Sequence, residues 1–111
     1  MISKRPWGSF RVLEDGPGFK VKILVIKPGQ RTSLQKHSKR TEHITCVSGK
    51  GKATFTHSRS IFTSGVYFQI DQDMVHRFEN VGSKNLVLLE LQLGDCFEED
   101  IKRLSDDYGR K

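Results

Sequence analysis

The feature that most limits the fold is a succession of short β-type runs, repeated at intervals of roughly ten residues and ended by glycine or polar turns. The run FKVKILVIK at 19–27 alternates apolar and other side chains, and the turn signal DGPG at 15–18 precedes it. The run NLVLLELQLG at 85–94 is almost continuously apolar. About eight such runs are present, which is typical of an antiparallel sandwich or barrel. We therefore predict an all-β fold.

The tail departs from this pattern. Its sequence EEDIKRLSDDYGR, at 98–110, has acids at its start and Lys102 and Arg103 further along, which suits the dipole of a helix. We predict a short C-terminal helix here. It would pack on the outside of the barrel through Ile101 and Leu104.

Length and composition favour one compact domain that spans residues 1–111. No run of about eighteen apolar residues is present, so we expect no membrane-spanning segment. The opening stretch MISKRPWGSF lacks the apolar core of a signal peptide, which favours a cytoplasmic location. Cys46 lies in the apolar run HITCV and is expected to be buried, and Cys96 is expected near the surface. No disulfide is predicted.

The charge is unevenly distributed. Residues 1–60 contain 13 lysines and arginines against 3 acids, a net charge of +10, whereas residues 61–111 contain 6 against 10, a net charge of −4. A negatively charged partner fits the basic half. Nucleic acid is not favoured, because no aromatic platform or nucleic-acid motif accompanies the basic residues. A small anion such as a sugar phosphate explains them at least as well.

A first cluster of polar residues has a regular spacing. Gly29 is followed by five residues and Gln35, by one residue and His37, by four residues and Glu42, and by six residues and Gly49. Side chains two positions apart on a strand share a face. Gln35 and His37 should therefore point together into the barrel.

A second cluster follows in the next third of the chain. Gly65 is followed by five residues and Asp71, by one residue and Asp73, by two residues and His76, and by three residues and Asn80. His76 begins the run HRFEN, which reads as a further strand.

These two strings resemble the two signature motifs of the cupin superfamily. The first motif usually reads Gly, five residues, His-x-His, three or four residues, Glu, six residues, Gly; here Gln35 replaces the first histidine. The second usually has proline and glycine where Asp71 and Asp73 stand. The resemblance implies a single double-stranded β-helix barrel, also called a jelly roll, with a metal site inside.

The resemblance narrows to one family. The stretches RPWGSF, KILVIKPGQRTSLQKHSKRTEH, VHRFEN and DYGR look like the cupin domain of type II mannose-6-phosphate isomerases, which is commonly fused to a GDP-mannose pyrophosphorylase domain. It covers the chain from Arg5 to Arg110. Ile44 stands where this family has a large aromatic residue, a change in the expected pocket wall. By this resemblance the metal ligands are Gln35, His37, Glu42 and His76.

The resemblance implies a divalent metal and aldose–ketose isomerisation of mannose 6-phosphate to fructose 6-phosphate. Nitrogen and oxygen donors that leave coordination positions open are typical of catalytic metal sites. We expect zinc, with manganese, cobalt, iron or nickel as alternatives. The metal would polarise the sugar oxygens and stabilise the enediolate, and a general base would move a proton between C1 and C2.

The sequence does not identify that base, and three residues are candidates for the catalytic machinery. His43 is close to the ligands, although it alternates with Glu42 and should face the other way. Arg40 could grip a phosphate through two hydrogen bonds. Lys22 points opposite to its apolar neighbours on a strand and could meet the anion.

Two other functions remain open from the sequence. One is a metal-binding cupin without catalysis that senses or binds a sugar or sugar phosphate. The other is a different small-molecule cupin enzyme, such as a sugar-nucleotide epimerase. A homodimer is expected in each case, because an open barrel exposes strand edges.

Overall fold

The computed structural model describes all 111 residues and contains strands, but no helix. No membrane-crossing helix is therefore among its elements. The eleven strands are β1 (Ile2–Arg5), β2 (Gly8–Gly16), β3 (Phe19–Ile26), β4 (Leu34–Lys36), β5 (Arg40–Ser48), β6 (Gly51–Phe55), β7 (Arg59–Phe62), β8 (Tyr67–Ile70), β9 (His76–Asn80), β10 (Leu86–Gly94) and β11 (Lys102–Ser105).

The strands form two antiparallel sheets. One has six strands in the order β1-β2-β3-β10-β5-β8, and the other has five in the order β11-β4-β9-β6-β7. Buried side chains of both sheets form one apolar cluster, in which Ile44 and Leu88 of the first sheet accompany Phe62 and Phe78 of the second. Burying one such side chain contributes about 1.5–3 kcal/mol to stability. The predicted all-β fold is confirmed.

The interior is apolar at one end and polar at the other. Strands β5 and β10 are neighbours in the six-stranded sheet, and both alternate buried with less buried residues. Along each strand the inward side chains change from apolar to polar toward the same end of the sheet. The apolar inward residues are Ile44, Cys46, Leu86 and Leu88, and the polar ones are Arg40, Glu42, Glu90 and Gln92.

The predicted C-terminal helix is wrong, because part of the segment forms β11 at the edge of the five-stranded sheet. A helix here would carry little more than Ile101 and Leu104 as an apolar face, and short helices are marginal in water without packing. As a strand, β11 pairs with β4, which places Lys102 opposite Lys36. Ile101 lines a cavity that opens to solvent instead of packing outside, and Leu104 is exposed.

The loop before β11 is held down by its acids. Glu98 accepts a hydrogen bond of 2.5 Å from Lys22 Nζ. The Asp100 carboxylate accepts hydrogen bonds from the backbone amides of Ser38, at 3.0 Å, and Lys39, at 2.8 Å. These bonds fasten the loop across the polar end of the interior.

Both cysteines are free thiols. Cys46 is buried in the core, as predicted, and Cys96 is half-buried. Burial raises the pKa of each thiol above its ordinary value. Both side chains are therefore neutral at physiological pH.

Candidate metal centre

Three buried side chains converge at the polar end of the interior. His37 follows β4 directly, Glu42 is in β5, and His76 is the first residue of β9. One ligand atom from each lies within 4.8 Å of the other two. Glu42 Oε2 is 3.5 Å from His37 Nε2, and Glu42 Oε1 is 3.5 Å from His76 Nε2. The structure therefore brings together three of the four residues predicted as metal ligands.

Backbone carbonyls orient both imidazole rings. His37 Nδ1 donates a hydrogen bond of 2.6 Å to the carbonyl oxygen of Asp100, and His76 Nδ1 donates one of 2.9 Å to that of Met74. Because a carbonyl only accepts, each Nδ1 carries the proton in the neutral ring and each Nε2 presents a lone pair to Glu42. Two such lone pairs beside a carboxylate can all coordinate one cation. This donor set fits a divalent metal, and the carbonyls act as the supporting partners that ligating histidines usually have.

The charges in the cluster favour an ionised Glu42. Burial alone raises its pKa, but the contact with His76 and the positive charges of His37, His76 and Arg40 outweigh it and lower the pKa to about 2. Burial lowers the pKa of His37. Burial opposes the charged form of His76 too, but Glu42 more than compensates and raises that pKa. A carboxylate and two rings that can be neutral together form a ready ligand set.

Arg40 holds Glu42 in place. Both side chains are buried, and Arg40 Nε donates a hydrogen bond of 2.9 Å to Glu42 Oε2. Arg40 Nη1 donates to the carbonyl oxygen of Phe97 at 3.0 Å, and Nη2 lies 3.4 Å from His37 Nε2. The guanidinium predicted to grip a phosphate is thus engaged within the protein and positions the carboxylate of Glu42.

Gln35 lies beside the cluster, opposite His76 in the pairing of β4 with β9. Its amide nitrogen donates hydrogen bonds to the Ser33 hydroxyl, at 3.0 Å, and to the Ser33 carbonyl, at 3.3 Å. Because the amide nitrogen makes these bonds, the remaining polar atom of the side chain is the carbonyl oxygen Oε1. This oxygen is the only atom of the amide that can bind a metal. Metal ligation by Gln35 stays a prediction.

Asp73 explains how the second motif works without its usual glycine. Its φ of 62° is in the left-handed region that glycine adopts without cost. Aspartate tolerates this conformation better than most residues. The backbone amide of Asp73 donates a hydrogen bond of 2.7 Å to the carbonyl oxygen of His37. The turn thereby ties the segment before His76 to His37.

A cavity of about 430 Å³ opens beside the three residues, within the size range of small-molecule sites. Trp7, Phe10 and Leu24 form part of its apolar wall. Lys22 faces this cavity, and its Nζ lies 4.3 Å from the centre of the Phe10 ring. Its hydrogen bond to Glu98 leaves it paired.

His43 lies outside the cavity. It alternates with Glu42 on β5 and points from the opposite face of the sheet, as its place in the strand predicted. There its Nδ1 is hydrogen-bonded to the hydroxyl of Tyr67, and the two rings are stacked. The structure does not bring this candidate base to the ligands. The remaining histidine, His57, is exposed.

Glu90 is the acid that the sequence reading missed. It is buried in the cavity wall, and Gln92 Nε2 donates a hydrogen bond of 2.7 Å to its Oε1. Burial, and then the charge of Glu42, raise the pKa of Glu90 to about 7, against the opposing charge of Lys22. A signal was present, because Glu90 occupies an inward position of an otherwise apolar strand. A lone carboxylate at such a position is seldom structural.

Three arginines of the cavity were also missed as site residues. Arg5 ends β1, Arg103 is in β11, and Arg110 follows β11. Two of them lie in the tail that had been predicted to pack outside the barrel. The place of Arg103 and Arg110 in the cavity wall depends on the pairing of β11 with β4.

Comparison with known proteins identifies relatives of this chain. Residues 2–106 match the family described as mannose-6-phosphate isomerase C-terminal. The alginate biosynthesis protein AlgA of Pseudomonas aeruginosa is 41% identical over 107 residues, which are 96% of this chain and 22% of that protein. A mannose-1-phosphate guanylyltransferase of Sinorhizobium fredii is 36% identical over 104 residues, 93% of this chain and 20% of that protein. The chain spans about a fifth of the length of these curated relatives.

Solved structures share the fold at low sequence identity. The capsular polysaccharide assembling protein CapF of Staphylococcus aureus superposes with a TM-score of 0.80 at 22% identity, over 95% of this chain and 34% of that one. The cupin domain of Schizosaccharomyces pombe Cnp3 gives 0.73 at 15%, over 78% and 64%. A double-stranded β-helix protein of Klebsiella pneumoniae gives 0.73 at 16%, over 83% and 79%.

These likenesses confirm the predicted barrel, and the matched residues include the whole histidine and glutamate cluster. The chain therefore belongs to the family of mannose-6-phosphate isomerase C-terminal domains and has the cupin, double-stranded β-helix fold.

Proposed function

We propose that this protein is a divalent-metal-dependent isomerase that interconverts mannose 6-phosphate and fructose 6-phosphate. One observation carries the proposal: the buried cluster of His37, Glu42 and His76 borders a cavity of about 430 Å³ that also contains the carboxyl group of Glu90. Aldose–ketose isomerisation needs donors that hold a metal and an acid, outside this donor set, that moves the proton. This cavity contains both. Membership of the mannose-6-phosphate isomerase C-terminal family supports this choice of reaction.

In this proposal His37, Glu42 and His76 hold the metal, with the carbonyl oxygen of Gln35 as the fourth ligand. Zinc suits two imidazoles and a carboxylate, and manganese, cobalt, iron and nickel are alternatives. The bound metal would polarise the substrate oxygens at C1 and C2. Arg40 serves the site by fixing the carboxylate of Glu42.

Glu90 is the proposed proton carrier. Its carboxylate takes the proton from C2 of the aldose and returns it to C1, while the hydroxyl proton on O2 passes to O1. The double bond to oxygen thereby moves from C1 to C2 with no net gain or loss of atoms. A pKa of about 7 lets this group both accept and release a proton near neutral pH.

Lys22 supports Glu90 from the neighbouring strand. The two residues are directly opposite in the pairing of β3 with β10, and the ammonium charge lowers the pKa of Glu90 against the effect of burial. Without it the acid would release its proton less readily. His43 has no part in the proposed reaction because it faces away from the cavity.

We further propose that residues 1–111 act as one cupin domain, in the cytoplasm, as a homodimer. Apolar side chains on the outer face of the six-stranded sheet support the dimer. Leu89 of β10 is 37% exposed and lies opposite Ile23 of β3, and Leu93 is 41% exposed. Such a face is stabilised when a second copy covers it.

The direct test is a coupled isomerase assay on mannose 6-phosphate, after removal of metal and reloading with zinc, manganese, cobalt, iron or nickel. We expect turnover that depends on metal and is lost in His76→Ala. His57→Ala, which removes an exposed histidine outside the cavity, should keep it. Stoichiometric metal binding without turnover for any metal would contradict the proposal.

A further inference from the structure

Three arginines, one from the start of the chain and two from its C-terminal segment, lie in the wall of the same cavity as the candidate metal ligands. They are Arg5, Arg103 and Arg110, which we name the arginine trio. The guanidinium carbon of Arg5, Cζ, lies 4.7 Å from the centre of the Phe10 ring. The proposed reaction assigns no role to these three side chains.

The positive charge of the trio is only partly compensated. Arg110 donates two hydrogen bonds to Asp106, at 2.9 and 3.0 Å. Arg5 donates to the backbone carbonyl of Lys4, and Arg103 Nη1 donates to the main-chain oxygen of Lys111. Neither Arg5 nor Arg103 forms an ion pair with an aspartate or glutamate side chain. Two guanidinium groups in the cavity therefore lack an acidic side chain as a counter-ion.

Arg103 has an unsatisfied hydrogen-bond donor, because its Nε is buried and no acceptor is within hydrogen-bond distance. Burial, and then the charges of Arg110 and Arg5, lower its pKa below the ordinary value. A buried donor without an acceptor is uncommon in folded proteins and destabilises them. An anion bound through Nε and Nη2 would supply the missing acceptor in the usual two-bond geometry.

The residues first expected to hold an anion are already engaged. Arg40 donates to Glu42 and to a backbone carbonyl, and Lys22 donates to Glu98. Besides the candidate metal ligands, the cavity thus contains two arginines without an acidic side-chain partner. A ligand that suits both carries oxygens for a metal and a separate anionic group.

We propose that the arginine trio is the phosphate-binding subsite of this cavity and takes the phosphate monoester of a sugar phosphate. A phosphate monoester carries a charge of about −1.5 to −2 near neutral pH and three acceptor oxygens. Planar guanidinium groups match such a group with paired donors. The inference rests on the proposed function, and it adds the residues that select a phosphorylated sugar.

The test measures binding, so it does not depend on turnover. Mannose 6-phosphate and, separately, inorganic phosphate are titrated into the metal-loaded full chain by calorimetry. We expect wild type to bind both, and Arg103→Gln and Arg5→Gln each to weaken the binding of mannose 6-phosphate by about 10- to 100-fold. Arg103→Lys, which keeps the charge but loses the paired donors, should fall between.

The matched control is Arg59→Gln, which removes the same charge from an exposed position of β7 outside the cavity. Metal content and circular dichroism report whether each variant is folded, and Arg5→Gln decides the matter if Arg103→Gln is not. Phosphate binding that depends on the trio, in a protein without isomerase activity, would support the subsite and remove the proposed reaction. The subsite is overturned if wild type binds neither anion, or if the trio variants bind as tightly as Arg59→Gln.

Discussion

Arg40 and Glu42 form a buried ion pair within one strand, with Arg40 Nη2 at 2.9 Å from Glu42 Oε2. They are two residues apart on β5 and therefore point to the same side of the sheet. The pair compensates the charge of the central carboxylate in the cluster of His37, Glu42 and His76 without any metal. A bound metal would add a second source of positive charge beside the same oxygen atoms.

Arg40→Met should therefore destabilise the metal-free protein by about 3–5 kcal/mol, because it leaves Glu42 buried without its partner. Added zinc should recover a substantial part of this loss, since the metal compensates the same carboxylate. Urea unfolding with and without zinc measures both quantities. Arg59→Met, at an exposed site, serves as the control. A loss that zinc leaves unchanged would show that Arg40 acts only through packing.

Glu90→Gln should abolish most turnover but leave the metal in place. Replacing the carboxyl group by an amide keeps the shape of the side chain and the cavity wall but removes the proton carrier. General acid–base groups contribute about 10²- to 10⁴-fold to the rate. Steady-state kinetics and metal content of the same sample measure the two effects. Glu14→Gln, an exposed acid outside the cavity, should match wild type. A Glu90→Gln enzyme with wild-type kcat would assign the proton transfer to another group.

The stability of the metal-free protein should fall as pH rises from about 4.5 to about 7. Glu90 ionises near its ordinary pKa of 4.5 when unfolded, but its pKa is about 7 in the folded chain, among the charges of Glu42, Lys22 and Arg40. Between these values the native state binds the extra proton, so raising the pH favours unfolding. The loss is on the order of 2 to 3 kcal/mol.

Chemical denaturation across this pH range measures the effect, and Glu90→Gln should flatten the profile there. Glu42 has the opposite sign, because its pKa is lowered to about 2. Its stabilising contribution is present above about 4.5 and is lost as pH falls toward 2. Equal slopes for wild type and Glu90→Gln between pH 4.5 and 7 would contradict the assignment to Glu90.

Asp73→Gly should stabilise the protein by about 1 kcal/mol, because a side chain in the left-handed region carries a steric cost that glycine avoids. The expected gain depends on the φ of 62° at this residue. Thermal unfolding detects it. Asp71→Gly, two residues earlier and without a positive φ, should give no gain. A stability decrease in Asp73→Gly would indicate that the aspartate side chain contributes a contact of its own.

Local patterns predicted the centre of the site well, and long-range pairing accounts for what they missed. The resemblance to the two cupin motifs pointed to His37, Glu42 and His76, and strand alternation added that Gln35 and His37 share a face. The same alternation predicted that His43 faces away from Glu42, and it put Lys22 on the face opposite to Val21 and Ile23 without deciding which face is inward. Alternation also puts Arg40 on the same face as Glu42, although Arg40 was predicted to grip a phosphate.

Arg103 and Arg110 could not be placed from the sequence, since their segment has charges suited to a helix. Its strand form depends on the free edge of β4, more than sixty residues earlier in the chain, where Lys36 pairs with Lys102. Glu90 is hard to single out for a different reason, because it stands among leucines in a run that is typical of a core strand. The pKa of this acid is shifted only when β5 brings Glu42 close to it.

The most direct test of the central claim is proton NMR of mannose 6-phosphate incubated with the metal-loaded wild-type protein, run beside His76→Ala. The proposed function predicts that fructose 6-phosphate signals appear with wild type and are absent with the variant. Mannose 6-phosphate that stays unchanged with a protein containing stoichiometric metal, for each of the five metals, would contradict it.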